Sequence, residues 1–454
     1  MDYTNIDDDD DEDLIPVTHV CRAWRKFFIS RSSLWTNFYC RSADKIRVYL
    51  ERSNSSPINV LLYRNGALSI GDPLFQIVPH YAARFRSLSI AASPKILRDI
   101  FAHLPPHIPL LEKLDVDGGF GPEALHDLHD PFLTTSLFNG DLSSLRVFRL
   151  ESVRTGLPWR NMVNLTVLVL RNMSSDSLSI RQLLDFFESA PRPCKVKLDS
   201  ATPTTGGRSG RLVSLAFLQR MEILFGPPSP HLLSHLLVPV GAELSIWGDS
   251  FLHIVRDHLP RSLDNLRNIS NITKIHFHIT NHTRMELGGP SGKLSMASGI
   301  GAACLGLEAL GRLDTSKVEQ LEVVSSDHSL TPSYRTLLPL KNLRTLTLSR
   351  CRNQNTFIAA LGPNTGKASG VVACPNLEEV VLDLRIDTGI DVKNIAKIAA
   401  ARASRGAKLR TVRIIGGKGK LGLGELRKHV LNVECDPVVD VVDSDSDDSD
   451  EDFW

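Results

Sequence analysis

One short pattern recurs along most of this 454-residue chain: an apolar residue, two others, a second apolar residue, one other and a third apolar residue. Leu343-Arg-Thr-Leu346-Thr-Leu348 is a clear copy. Because its last residues alternate apolar and polar side chains, each copy predicts a half-buried β-strand. The nine clear copies begin at Phe85, Leu111, Leu145, Leu165, Ile272, Val318, Leu343, Leu377 and Leu409, and weaker copies lie at 194–198, 222–225 and 243–246.

Helix-like stretches separate the copies, at 94–102, 179–188, 301–311, 355–361 and 392–402. The central apolar residue advances by 20 positions from Phe148 to Leu168 and by 25 from Leu321 to Leu346. Such intervals are typical of leucine-rich repeats, in which one strand and one helical or irregular return take about 20–29 residues. We therefore predict an α/β leucine-rich-repeat solenoid over residues 41–435, with parallel strands on its concave face. An ordinary α/β protein with buried parallel strands is the alternative.

In such a solenoid, the residues between the apolar positions line the concave surface. That surface has mixed charge with basic clusters. It suits a protein partner better than a small metabolite, which binds in a largely apolar pocket. The candidate partner-binding residues are Lys113, Arg149, Lys195, Lys197, Lys274, His276, His278 and Arg413.

The formal net charge of +1 conceals a strong segregation of charge. Residues 1–13 contain eight acidic residues, residues 436–454 contain nine, and neither segment has a Lys or Arg. Both segments are predicted to be disordered acidic tails. The body between them has 52 basic and 34 acidic residues, a formal charge of +18. The tails either serve solubility alone or cover this basic body.

Composition excludes several classes of protein. No stretch reaches the roughly 20 apolar residues that cross a membrane, and the acidic N-terminus lacks the features of a secretory signal. Seven cysteines without a C-x-x-C pair predict neither a disulfide framework nor a zinc site. We expect an intracellular protein of the cytoplasm or nucleus, without a membrane partner.

A different segment, residues 14–40, precedes the repeats and reads LIPVTHVCRAWRKFFISRSSLWTNFYC. Its apolar residues have the spacing of one face of a single amphipathic helix; they are Val17, Val20, Cys21, Trp24 and Phe28. A serine-containing break at 30–33 then precedes Leu34 and Trp35.

Val20-Cys-Arg-x-Trp24-Arg, followed by Ser33-Leu-Trp35, resembles the C-terminal half of an F-box. Residues 49–60 are similar to the helix and strand that follow the F-box in fungal F-box/leucine-rich-repeat proteins. The resemblance implies that Val20, Cys21, Trp24, Leu34 and Trp35 dock a Skp-type adaptor of cullin–RING (SCF) ubiquitin ligases, while the repeats hold a protein substrate. The Leu-Pro pair and apolar helix that usually open an F-box are replaced by Asp7–Asp13. The alternative role of Trp24 and Trp35 is to cap the first repeat.

Motifs that carry chemistry are weak or incomplete. His276-x-His278-x-x-x-His282 has enough imidazoles for a metal, but no nearby acidic residue or cysteine completes a site, so we predict none. Gly417-x-Gly419-x-x-Gly422 imitates a dinucleotide-binding fingerprint without its strand–helix–strand context. No G-x-S-x-G or H-E-x-x-H motif occurs. We therefore expect no catalytic residues and no cofactor.

Nucleic-acid binding is a competing hypothesis, because the basic body would attract phosphates. Aromatic residues make up only 6% of the chain, and no basic patch interleaves with aromatics that could stack on bases. Trp24 and Trp35 are better explained as core residues. The function predicted is a non-enzymatic interaction adaptor. The alternative is a repeat scaffold without ligase docking that binds a protein or a polyanion.

Overall fold

A computed structural model describes residues 14–39, 43–63, 78–119, 142–153, 161–173, 178–201, 210–224, 230–248, 259–260, 262–279, 282–298, 313–325, 337–351, 354–362, 372–383, 391–416 and 423–436. The fold is α/β, with helices and a large, mostly parallel sheet. The chain divides into two compact units, with the boundary between Leu168 and Val169. Four segments named above lie outside the described residues: 1–13, 301–311, 417–422 and 437–454.

The N-terminal unit begins with short helices and continues into parallel strands. Its elements are α1 (Leu14–Val17), α2 (Arg22–Ser30), a 3₁₀ turn (Ser32–Trp35), β1 (Asn37–Tyr39), α3 (Ala43–Arg52), β2 (Ile58–Tyr63), a second 3₁₀ turn (Val78–Arg84), β3 (Phe85–Ala91), α4 (Pro94–His103), β4 (Lys113–Asp117) and β5 (Val147–Glu151). Strands β1 to β5 pair in chain order and all in parallel. Strand β6 (Val167–Arg171) crosses the boundary.

The C-terminal unit contains most of the remaining described elements. They are α5 (Ile180–Ser189), β7 (Lys195–Asp199), β8 (Val213–Ser214), β9 (Arg220–Leu224), α6 (Pro230–Ser234), β10 (Leu236–Leu237), β11 (Glu243–Gly248), a 3₁₀ turn (Arg267–Ile269), β12 (Lys274–Ile279), β13 (Thr283–Gly289), β14 (Gly292–Ser298), β15 (Gln320–Ser325), β16 (Thr345–Ser349), α7 (Gln354–Ala360), β17 (Glu379–Asp383), α8 (Val392–Ala403), β18 (Thr411–Ile415), α9 (Gly424–Arg427) and β19 (Asn432–Asp436).

The alternating residues of the predicted copies lie on strands, as predicted, except Phe225, which is outside the described residues. The predicted helical stretches that fall in the described residues correspond to α4, α5, α7 and α8 within two residues at each end. In β16, Leu346 and Leu348 are fully buried, whereas Thr345 and Thr347 are partly exposed. The central apolar residues of neighbouring strands are also in register, because Leu321 lies opposite Leu346 and Leu346 opposite Val380. The period-two alternation thus builds one continuous apolar layer in this part of the sheet.

The turns after the strands also repeat. The residue directly after each of five strands has a left-handed backbone, with φ of 51° at Ser152, 49° at Asn172, 48° at Ser200, 56° at Arg350 and 77° at Gly416. This conformation is uncommon for residues other than glycine. Its recurrence at equivalent positions indicates that successive units leave the sheet by the same turn.

The prediction that all strands are parallel is wrong between Ile275 and Leu321. Strand β13 pairs in antiparallel with both β12 and β14, and β14 then pairs in parallel with β11. Two residues, Pro290 and Ser291, connect β13 to β14, a loop length that favours a hairpin. Gly292 has a φ of 132°, and a Cβ there would lie 2.6 Å from the Ala242 carbonyl oxygen. A hairpin inserted into the array therefore accounts for the long interval between these two copies.

Helices of the C-terminal unit begin at recognisable caps. The Ser179 hydroxyl accepts a hydrogen bond from the Gln182 amide at the start of α5, and the Gln182 side chain accepts one from the Ser179 amide. At α8, the Asp391 carboxylate accepts from the amides of Lys393 and Asn394. These caps satisfy amides that the first helical turn leaves without partners. None of the helices in the described part of the chain has the length and hydrophobicity needed to cross a bilayer.

A buried arginine ties α8 to the preceding elements. Arg402 is 0% exposed. Its guanidinium donates hydrogen bonds to the carbonyl oxygens of Leu361 (3.1 Å), Ala373 (2.7 Å) and Cys374 (2.8 Å). Burial lowers the pKa of the Arg402 guanidinium. One side chain thus joins the end of α7, the turn before β17 and the end of α8.

We predict that Arg402→Met lowers the free energy of unfolding by about 2–4 kcal/mol, because three buried carbonyls lose a charged donor. Lys397→Met, at an exposed position on the same helix, is the matched control. Urea unfolding followed by circular dichroism measures both variants. Equal midpoints for the two would show that the Arg402 hydrogen bonds contribute nothing.

Two buried cysteines should resist alkylation. Burial raises the pKa of both Cys351 and Cys374 to about 12. At pH 8 about one thiol in ten thousand would then be the reactive thiolate. We expect iodoacetamide to label exposed Cys21 in the native protein and to label Cys351 and Cys374 only after denaturation, as measured by peptide mass spectrometry. Native labelling of all three at one rate would contradict their burial.

Candidate interaction site

Trp35 anchors the N-terminal segment. Its side chain is 0% exposed, and its indole Nε1 donates a hydrogen bond of 2.8 Å to the Phe28 carbonyl oxygen. The Tyr49 ring meets it edge-on, with 5.0 Å between ring centroids, and the Arg52 guanidinium lies 4.4 Å from the centre of an indole ring. Because Tyr49 and Arg52 belong to α3, Trp35 fixes the C-terminal end of α2 against α3.

The single helix predicted from Val17 to Phe28 is wrong, since α1 ends at Val17 and α2 begins at Arg22. Cys21 has extended backbone and caps α2, with its Sγ accepting a hydrogen bond of 3.5 Å from the Trp24 amide. Arg25 Nε donates to the Thr18 carbonyl oxygen at 2.9 Å and holds the turn between the helices. Cysteine is an uncommon N-cap, so the spacing of apolar residues did not reveal this break.

Helix α2 and its flanks carry a cluster of exposed apolar side chains. We call this cluster the N-terminal apolar patch; it consists of Val20, Trp24, Phe27, Ile29 and Leu34. Trp24 is 51% exposed and Phe27 is 54% exposed, and no residue of α2 is buried. The described residues contain eleven exposed large hydrophobic side chains, and five of them lie within these fifteen positions. Exposed apolar side chains concentrated in so short a segment mark a candidate interaction surface.

The charged side chains of residues 14–39, the segment that carries this patch, are all basic. These four side chains are Arg22, Arg25, Lys26 and Arg31, and the segment contains no Asp or Glu. The Arg31 guanidinium lies 5.6 Å from the centre of the Phe27 ring, within the range of a cation–π contact. A partner that covers the patch therefore needs apolar side chains at its centre and acidic ones at its rim.

The five predicted docking residues fall on two levels. Four of them are exposed, namely Val20, Cys21, Trp24 and Leu34, whereas Trp35 is buried. The prediction that both tryptophans belong to the core is correct for Trp35 and wrong for Trp24, because the break before α2 turns Trp24 toward solvent. The F-box motif and the predicted apolar helix face do not include Phe27 and Ile29.

In the N-terminal unit, two predicted surface cations share one carboxylate. Asp115 Oδ2 lies 3.8 Å from Lys113 Nζ and 3.7 Å from Arg149 Nη1. The contact to Arg149 follows from register, because Asp115 and Arg149 lie opposite each other on β4 and β5. These partly exposed pairs contribute little stability, but they compensate much of the local positive charge.

Lys195 and Lys197 lie on β7 of the C-terminal unit, next to β9. Lys197 lies opposite Glu222 at 3.9 Å, and Arg220 pairs with the same carboxylate at 2.6 Å. Lys195 lies opposite Arg220 and has no ion pair with the described residues. Glu222 therefore pairs with two cations, Lys197 and Arg220.

The predicted residues of β12 lie beside two other strands. His276 is opposite Glu286 on β13 and Glu322 on β15, and the His276 and His278 rings stack with centroids 6.3 Å apart. Lys274 has no ion-pair partner among the described residues. Within the described part of the chain, no group of three or more His, Cys, Asp or Glu side chains is arranged to hold a metal ion.

Glu286 is the charged centre of this region. Its carboxylate forms ion pairs with Arg284 at 2.6 Å and with Lys293 at 3.0 Å. Burial raises the pKa of Glu286, but the hydrogen bond from Lys293 and the neighbouring cationic groups outweigh it, so the pKa lies below its usual range. Glu286 therefore stays ionised and compensates the cations around it.

Arg413 on β18 is the last of the predicted surface residues. It pairs with Asp436 at 2.6 Å and approaches Glu434 at 3.9 Å, both on β19. The hydrogen bond to Asp436 raises the pKa of the Arg413 guanidinium. Asp436, the first residue of the predicted C-terminal tail, is thus the last residue of a strand.

Most of the predicted strand cations are paired within the protein. The N-terminal apolar patch is therefore the stronger indication of a partner.

The two tryptophans of the N-terminal segment should differ in their effect on stability. We predict that Trp35→Ala lowers the free energy of unfolding by about 3–5 kcal/mol, the usual cost of truncating a buried aromatic side chain. Trp24→Ala should cost less than about 1 kcal/mol, because half of its surface already faces solvent. Urea unfolding followed by circular dichroism compares them. Similar large losses for both would instead favour a capping role for Trp24.

Comparison with models of known protein families gives no match for this chain, and comparison with curated proteins also gives none.

Proposed function

We propose that this protein is a non-enzymatic interaction adaptor of the kind that the F-box resemblance implies. Its N-terminal apolar patch would dock a Skp-type adaptor of a cullin–RING ubiquitin ligase, and its strands would hold a protein substrate. The observation that carries the proposal is the concentration of exposed apolar side chains on α2, none of whose residues is buried. Catalysis would belong to the partner proteins.

The energetics of the patch favour a protein partner. Tryptophan is among the residues that contribute most to binding when a partner covers them. Trp24 and Phe27, three residues apart on α2, are each about half exposed. Trp35 ties the C-terminal end of α2 to α3, which lowers the ordering cost at that end when a partner binds. A helix with uncovered apolar side chains is suited to docking against another protein.

We propose that the strands form a leucine-rich solenoid. Two features support this: the chain-order parallel pairing from β15 to β19 and the recurring left-handed turn after the strands. In such a solenoid the strand residues line a long surface on which a protein can bind. An adaptor of this form would act by proximity, because it raises the effective concentration of substrate near the ligase.

The second candidate is a repeat scaffold without ligase docking. The sequence favours it at one point, because Asp7–Asp13 stand where an F-box opens with Leu-Pro and an apolar helix. Such a scaffold would bind a protein or a polyanion through its basic body. The two candidates differ in whether a Skp-type adaptor binds the full chain.

We predict that the full chain binds a purified Skp-type adaptor and that Trp24→Ala or Phe27→Ala weakens binding about tenfold or more, as expected for central interface aromatics. Phe217→Ala is the matched control, since Phe217 is 56% exposed and Phe27 is 54% exposed. Calorimetric titration measures the affinities, and circular dichroism checks that each variant is folded.

The control must leave binding unchanged. Loss of binding in Phe217→Ala as well would place the contact elsewhere. If the full chain does not bind, and grafting an intact F-box opening onto it restores binding, the scaffold function is correct and the adaptor function is wrong.

A further inference from the structure

A polar groove crosses the amino ends of five neighbouring strands in the C-terminal unit. The strands are β12, β15, β16, β17 and β18, which are adjacent in that order. The groove has a volume of about 710 Å³ and is lined by the residues that precede these strands. Its volume lies in the range of ligand sites, but its lining is polar, unlike a typical metabolite pocket.

Side-chain amides form the floor of this groove. Asn376 Nδ2 donates to Asn342 Oδ1 at 3.0 Å, and Asn342 Nδ2 donates to the Ser316 carbonyl oxygen at 2.5 Å. Lys317 Nζ donates to Asn271 Oδ1. Asn271, Lys317, Asn342, Asn376 and Lys408 hold equivalent positions, each directly before the first apolar residue of its copy. These bonds fix the lining side chains in place before any ligand binds.

The lining carries an excess of positive charge. Four cations, Lys317, Arg344, Lys408 and Arg410, face two acidic residues, Glu319 and Glu378. Arg344 and Arg410 share the single carboxylate of Glu378, at 3.6 and 3.3 Å, and all three side chains are substantially exposed. Lys408 has no ion pair with the described residues. The groove therefore presents more basic groups than its own carboxylates can compensate.

We propose that this groove binds an extended acidic peptide segment of the protein's substrate. Neighbouring strands are about 4.8 Å apart, so the three steps from Lys317 to Lys408 span about 14 Å. Side chains at i and i+4 of an extended peptide share a face and lie about 13–14 Å apart. Two carboxylates with that spacing reach both lysines, while the guanidinium groups of Arg344 and Arg410 take carboxylates between them as charge-assisted hydrogen-bond donors.

Chemistry within the groove favours a peptide over a nucleic acid. The lining contains no aromatic side chain on which a base could stack. Its asparagines and Thr273 instead offer hydrogen-bonding groups to a peptide backbone. The inference rests on the proposed substrate-receptor function only for the source of the peptide, and peptide binding is measurable without the ligase adaptor.

Fluorescence anisotropy tests the proposal on the full chain with a labelled peptide of six Asp-Ser repeats. A peptide of six Asn-Ser repeats serves as the uncharged control. The double variant Lys408→Glu, Arg410→Glu should weaken binding of the acidic peptide about tenfold or more, because it replaces two attractions by two repulsions. The double variant Lys393→Glu, Lys397→Glu makes the same charge change on exposed α8 residues outside the groove and should weaken binding less than about threefold.

Four results with these ligands and variants would overturn the proposal, and a fifth comes from the tail. They are the absence of binding, equal weakening in both double variants, equal binding of the Asn-Ser peptide, and tighter groove-dependent binding of a single-stranded oligonucleotide. A further full-length variant carries amides in place of the acidic residues of 437–454. A groove-dependent gain of about tenfold in that variant would assign the groove to the chain's own tail and overturn the substrate role. The peptide assay contains no Skp-type adaptor. A failure of peptide binding therefore does not bear on adaptor docking, which the calorimetric titration measures.

Discussion

In-register burial of alternate strand residues is the constraint on which the described structure depends. A strand whose side chains alternate can bury only one face, and a shift of one residue would expose its whole apolar set. From β15 to β18 the central apolar residues Leu321, Leu346, Val380 and Val412 lie opposite one another in sequence. Each strand therefore fixes the register of the next, and most positions on the opposite face of these strands stay partly or fully exposed.

A stack of this kind has ends that need their own solution. At β19 the central position is taken by Val433, which is only partly buried, and the preceding Leu431 is 68% exposed. At the N-terminal side, Trp35 and α3 bury apolar surface next to β1 and β2, and α2 contributes no buried residue. Covering the first strands accounts for Trp35 but leaves the exposure of Trp24 and Phe27 unexplained, which is why we assign those two to a partner.

Local sequence was sufficient to predict twelve of the described strands and the helices α4, α5, α7 and α8, because a repeating apolar pattern needs no knowledge of distant contacts. It predicted the apolar layer and the exposure of residues such as Lys195 and His278. It failed where a distant contact decides the outcome. The hairpin of β13 and β14 depends on pairing with β11, and the cysteine cap that separates α1 from α2 exposes Trp24. Arg402 belongs to an alanine-rich helix, and nothing in the neighbouring sequence indicates that its guanidinium is buried against three carbonyl oxygens.

Charge patterning separates structural surfaces from candidate binding surfaces. On the strands, Asp115, Glu222 and Glu286 each serve two or more cations, so these surfaces are largely compensated within the protein. Two places differ. The segment with the N-terminal apolar patch has four cations and no acid, and the groove has four cations and two acids. Both places would gain from an acidic partner, and the two lie in different units. Two separate candidate sites are what the proposed adaptor function would require.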